Sequence, residues 1–166
     1  MCSSDLGLAR AAMLGLIGVL IPTAVVQAAG GKSKRADLVV GSLAVAPGSV
    51  TPGSTVRVTG AVLNKGKAKA GVSSMVILLS RNKKRDASDI TLAAAVRTAR
   101  TAPRKKAPLS TQVTIPRGTA AASWFVLACA NATGAVKETT KANNCRSAAL
   151  RGTARSSTTT KKPARP

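Results

Sequence analysis

Between residues 37 and 150 the apolar residues come in short runs, and the runs stop at Pro, Gly or Asn. Pro47-Gly48 and Pro52-Gly53 close the first, Asn64-Lys65-Gly66 the second, and Pro116 a later one. Proline fixes φ and lacks an N–H, and glycine frees the backbone, so each of these points interrupts a helix or a ladder. Short strands fit between such breaks; long helices do not. Inside the runs the period is two. Val56, Val58 and Val62 share one face of residues 55–63, with Arg57 and Thr59 on the other, and Leu109, Thr111, Val113 and Ile115 share one face of residues 109–115. Residues 72–79 are apolar on both faces, as a central strand requires. With residues 38–45, 90–96, 123–130 and 143–150 this predicts an all-β chain of about seven strands, arranged as an antiparallel β-sandwich. Residues 91–100 stay open between strand and helix, because their alanines and the spacing of Leu92, Ala95/Val96 and Ala99 also suit a helix.

Charge narrows the chemistry. The chain of 166 residues has 26 Lys and Arg against 5 Asp and Glu, a formal net charge of +21. Residues 37–150 alone hold 17 cations and 4 carboxylates. No histidine is present, so no Ser–His or Cys–His dyad and no imidazole metal site can form. Three cysteines cannot build an all-thiolate tetrahedral zinc site. Asp86 and Asp89 stand among Arg81, Lys83, Lys84 and Arg85, whose charge opposes calcium; turn formation is their simpler role. No catalytic residues, metal or cofactor is expected, and the chain reads as a non-enzyme.

The N-terminal region reads as an export signal. Arg10 precedes an uncharged stretch, residues 11–29, which holds a compact apolar core broken by Pro22 and ends in Val26-Gln27-Ala28. This is the grammar of a cleavable signal peptide, residues 1–28, and it predicts a secreted, periplasmic or cell-surface protein whose mature form does not span the membrane. Residues 1–6 (Met-Cys-Ser-Ser-Asp-Leu) fit a leader poorly, match one reading frame of a sequencing-adapter oligonucleotide, and are expected to be non-native. Residues 29–36 form a basic linker and residues 37–150 the domain. Residues 151–166, without a large apolar side chain, form a basic tail expected to be disordered. Export favours a disulfide between Cys129 and Cys145, the two cysteines of the domain, which lie on the last two predicted strands. Their spacing is not the C-x-x-C of a redox pair.

Several segments resemble the CARDB family, the cell-adhesion-related domain found in bacteria. They are Ala36-Asp37-Leu38-Val39-Val40, residues 47–54 (Pro-Gly-Ser-Val-Thr-Pro-Gly-Ser), Asn64-Lys65-Gly66 and Leu79-Ser80. The second half adds residues 113–119 (Val-Thr-Ile-Pro-Arg-Gly-Thr), residues 127–134 (Leu-Ala-Cys-Ala-Asn-Ala-Thr-Gly) and Glu138 followed by Asn143-Asn144-Cys145. The resemblance spans about residues 36–148. It implies an immunoglobulin-like sandwich, exported, with no catalytic residues to carry over. The charge departs from the commonly acidic members of that family.

Alternate loops of an antiparallel sandwich share an end. On that basis Lys65, Lys67, Lys69, Arg104, Lys105, Lys106, Lys137 and Lys141 are expected at one pole, with Arg81, Lys83, Lys84 and Arg85 at the other. The first pole is a candidate site for an anionic partner: an envelope polymer such as lipopolysaccharide or a wall polymer, or extracellular nucleic acid. Trp124 and Phe125 lie in an apolar strand and are assigned to the core, which argues against base stacking. The competing reading is a structural or inhibitory module that meets a protein partner through a sheet edge or the Cys129–Cys145 loop. Asn131-Ala132-Thr133 fits a glycosylation sequon but reads more simply as a turn.

Overall fold

The computed structural model describes residues 34–154. The expected signal peptide, most of the linker and most of the tail lie outside the described residues. Eight strands are formed among those described: β1 (Leu38–Ala46), β2 (Ser49–Val50), β3 (Thr55–Asn64), β4 (Ser73–Ser80), β5 (Ile90–Thr98), β6 (Lys106–Thr114), β7 (Ser123–Cys129) and β8 (Cys145–Gly152). They make two sheets, one ordered β1-β3-β6 and the other β2-β8-β7-β4-β5. Neighbouring strands run antiparallel except β2 and β8, which are parallel. No described helix is long and apolar enough to cross a membrane.

The strand count is eight rather than seven because Ser49 and Val50, between the two Pro-Gly pairs, lie beside Arg151 and Gly152 of β8. Residues 90–98 are strand throughout. Pairing with β4 overrides the helical tendency of their alanines, and the register slips between Met75 and Ile77 and again between Ile77 and Leu78. The ordered fold also passes both expected limits of the domain. Ala36, placed in the linker, is buried and bridges to Glu138, and β8 continues to Gly152 with Thr153 N–H donating to Val50 O.

The inner faces of the two sheets meet over Val56, Val58 and Val62 of β3, Met75, Ile77 and Leu79 of β4, Leu109 and Val113 of β6, and Val126 and Ala128 of β7. The period-two pattern of β3 and β6 is what turns these side chains the same way. Each full burial of such an aliphatic side chain contributes roughly 1.5–3 kcal/mol before chain entropy is set against it. A second apolar cluster lies on the outward face of the larger sheet: Val76, Leu78, Leu127 and Cys129, with Phe125 and Ala132 packed on it. Trp124 and Phe125 are therefore not joint members of one core. They point to opposite faces of β7, both only half-buried, Trp124 against the main core and Phe125 against the outer cluster.

Candidate functional site

The β-ladders bring three loops and the incoming chain to one end of the sandwich. Leu38 pairs with Asn64 at the end of β3, Leu63 with Lys106 at the start of β6, and Cys129 with Cys145 at the junction of β7 and β8. Asn64 organises this end. It is fully buried, its Oδ1 accepts from the N–H of Asp37 and Gly66, and its Nδ2 donates to the carbonyls of Ala68 and Thr101. Backbone bonds complete the join: Asn64 N–H to Lys105 O, Arg104 N–H to Asn64 O, Lys65 N–H to Asp37 O, and Lys67 N–H to Arg35 O. The loops bearing Lys65, Lys67 and Lys69 and bearing Arg104 and Lys105 are thus hydrogen-bonded to one another. Arg104 adopts positive φ (62°), so its backbone turns sharply there.

All eight cations expected at this pole are exposed. The structure adds two that sequence reasoning left in a linker, Lys34 and Arg35. With Lys69 and Lys137 they line an open groove of about 490 Å³ whose apolar floor includes Ala36, Ala68 and Val136. Lys141 is set apart. It shares a separate depression of about 410 Å³ with Arg85 and the two cysteines. Arg85 itself belongs to the loop expected at the opposite pole. That loop starts there, after Ser80 beside Phe125, but folds back so that Arg85 lies along the depression at Cys129.

Carboxylates at the pole are already engaged. Glu138 is buried; its Oε1 accepts from Leu38 N–H (2.7 Å) and its Oε2 from the side-chain amides of Asn131 (2.7 Å) and Asn144 (2.8 Å). Asp37 accepts from the Asn143 amide at 3.0 Å. Asn131, at φ 52°, also exchanges side-chain bonds with both backbone groups of Val136, so the sequon asparagine is spent inside its own turn. The disulfide Cys129–Cys145 closes the base of this loop. Glu138 and Asn144, which sequence reasoning used only as marks of resemblance, are the residues that shape it.

In the loop after β4, Asp86 accepts from Asn82 Nδ2, Ser88 N–H and Ser88 Oγ, and Asp89 accepts from Asp86 N–H. The hydrogen bond from the Ser88 hydroxyl, then those from Asn82 and the Ser88 backbone, hold the Asp86 carboxyl below its ordinary pKa. Among the described residues no three His, Cys, Asp or Glu side chains gather as a metal site.

Comparison with known proteins agrees with this architecture. No curated protein matches the chain. Among solved structures, a domain of a Methanosarcina acetivorans protein assigned to the cell surface is similar at 18% identity and a TM-score of 0.52, over 71% of this chain and 92% of that one. The CARDB domain of a Pyrococcus furiosus protein, solved in complex with di-metal ions, is similar at 15% identity and a TM-score of 0.48, over 71% and 89%. The sporulation control protein Spo0M of Bacillus subtilis is similar at 12% identity and a TM-score of 0.49, over 72% of this chain and 49% of that one. The family profile of CARDB matches residues 35–148, nearly the whole described domain, and the chain therefore belongs to the CARDB family.

Proposed function

We propose that this CARDB domain is an exported, non-catalytic binding module that engages anionic polymers of the cell envelope, or extracellular nucleic acid, through its basic pole. One observation carries the reading. Lys65, Lys67, Lys69, Arg104, Lys105 and Lys137 converge from three loops, while the acidic groups nearest them, Glu138 and Asp37, are held by amide donors rather than by these cations. Fixed cations without partners raise the local concentration of polyanions and bind by releasing their counterions. The family relationship and the leader grammar support placement outside the cytoplasm.

The test is binding of the oxidised protein to purified envelope polysaccharides and to duplex DNA from low to high salt. Saturable binding that falls steeply with salt, and that is lost when Lys65, Lys67, Lys69, Arg104, Lys105 and Lys106 become Gln, supports the pole. Weak binding that ignores those substitutions overturns it.

A second reading has its own observation. Val72 and Ile90, the two large hydrophobics exposed among the described residues, flank β5, an outer strand of its sheet with no charge from Ile90 to Val96. A protein partner meeting this edge would bind with little salt dependence.

A further inference from the structure

The outward face of a sandwich normally meets water, yet Val76, Leu78 and Leu127 are at most 6% exposed on the outward face of the larger sheet. The loop after β4 runs beside this cluster. Arg81 stacks on Trp124 with its guanidinium carbon 4.5 Å from the ring centre, Lys83 Nζ lies 5.6 Å from the centre of Phe125, and Arg85 reaches the depression at Cys129. The loop is braced from within. Asn82 Oδ1 accepts from Lys84 N–H, and both carboxylates accept from amides and hydroxyls of the loop itself. Asp86 is thus occupied through both oxygens and Asp89 through Oδ2 alone, its Oδ1 being buried without a hydrogen-bond partner, and among the described residues the loop's four cations have no carboxylate partner.

Between residues 81–86 and Phe125 lies an open groove of about 610 Å³. Its floor is an aromatic ring over an aliphatic cluster, and its rim is Arg81, Asn82, Lys83, Lys84, Arg85 and Asp86, the carboxylate of Asp86 being taken up by Asn82 and Ser88. This combination asks for a ligand that is apolar at one end and anionic at the other. A bare phosphate would gain nothing from Phe125, and a neutral apolar chain would gain nothing from the rim. We propose that this groove seats an anionic phospholipid, with its phosphate against Lys83, Lys84 and Arg85 and the first part of its acyl chains on Phe125. Phe125 holds Lys83 by a cation–π contact that the phosphate can replace without leaving that cation unpartnered. Arg85 also borders the depression that holds Lys141, whereas Lys67, Lys69 and Lys137 of the polymer-binding pole are not in the lining of this groove.

Trp124 is the single tryptophan of the chain and touches Arg81, so its fluorescence reports on the loop. The oxidised full chain is titrated with monomeric dihexanoyl-phosphatidylglycerol, with dihexanoyl-phosphatidylcholine, and with glycerol phosphate. The expected result is a saturable change in Trp124 emission with phosphatidylglycerol alone. Affinity should fall about tenfold or more in K83Q/K84Q/R85Q, which removes the charge that would face the phosphate. It should be unchanged in the pole variant K67Q/K69Q/K137Q. An equal response to glycerol phosphate would reduce the site to a simple anion site and overturn the proposal. So would an equal response to phosphatidylcholine, no response to any probe, or loss of response in the pole variant alone. Failure of the polymer-binding reading would leave every one of these outcomes legible.

Discussion

Glu138 Oε1 accepts the backbone N–H of Leu38 at 2.7 Å across a sequence separation of 100. The same carboxylate takes the amides of Asn131 and Asn144, so one side chain fastens the start of β1 to the loop between β7 and β8. Glu138→Ala leaves three buried donors short of an acceptor and should cost about 2–4 kcal/mol, because the desolvation of each donor is then no longer offset by a hydrogen bond. Glu138→Gln should recover only part, since its amide N–H groups would face two amide donors. Urea unfolding of the three proteins checks the order.

The disulfide should matter as a clamp on the unfolded chain. It closes a loop with a sequence separation of 16. The chain-entropy relation gives about 3 kcal/mol for a loop of this size. Chemical denaturation of Cys129→Ala/Cys145→Ala should show that loss as a lower midpoint.

Gly66 has no room for a side chain. A Cβ built there would lie 2.6 Å from Ala36 Cα and would also meet the carbonyl of Arg35. Both obstacles are backbone, so neither can swing aside. Gly66→Ala should cost on the order of 1–3 kcal/mol, as overpacking does elsewhere. It should also loosen the Lys67 N–H to Arg35 O bond, seen as faster amide exchange at Lys67.

Asp86 makes the loop after β4 sensitive to acid. Its carboxyl is held below the ordinary value by Ser88, first through the hydroxyl, and by Asn82. A pKa lower in the folded loop than in the free chain means that these bonds favour the ordered loop above the unfolded value. That contribution is lost as pH falls through the folded value. The Ser88 amide proton should therefore titrate with a midpoint below the usual aspartate range, and Ser88→Ala should move the midpoint of Asp86 upward. NMR titration follows both.

Salt dependence gives a count of contacts at the pole. If Lys67, Lys69 and Lys137 each neutralise one phosphate of duplex DNA, K67Q/K69Q/K137Q should lower the slope of log K against log salt by about 2.7. Substituting three cations elsewhere on the domain should change it less.

Much of the sandwich was legible because its signal is local. Val56, Val58 and Val62 alternate with polar neighbours, and all three are buried in the main core. Glycine and proline marked most turns. The short strand β2 was hidden because two residues carry no period, and their partners Arg151 and Gly152 lie far along the chain. The alanines of β5 fit helix or strand equally, and only pairing with β4 decides between them. Ala36 falls in the expected linker because a small residue at the end of a basic stretch carries no sign of the backbone carbonyl that receives Thr139 N–H. The site was legible as a set of loops, since strand parity brings three of them to one end. The fold-back of Arg85 was not, because a run of cations reads as solvated. A clue did exist in residues 76–78 and 125–129: apolar side chains on both faces of β4 and β7 needed a cover on each side.

The parallel pairing of β2 with β8 has a mechanical consequence. The described chain begins at the basic pole and, after β8, leaves from the opposite end. Tension applied between those two points would pull β2 and β8 in opposite senses along their common direction. Their hydrogen bonds, including Thr153 N–H to Val50 O and Arg151 N–H to Gly48 O, would be sheared together rather than peeled one after another. A domain joined in this way resists stretching through its short strand, the one element too brief to be seen as a strand in the sequence.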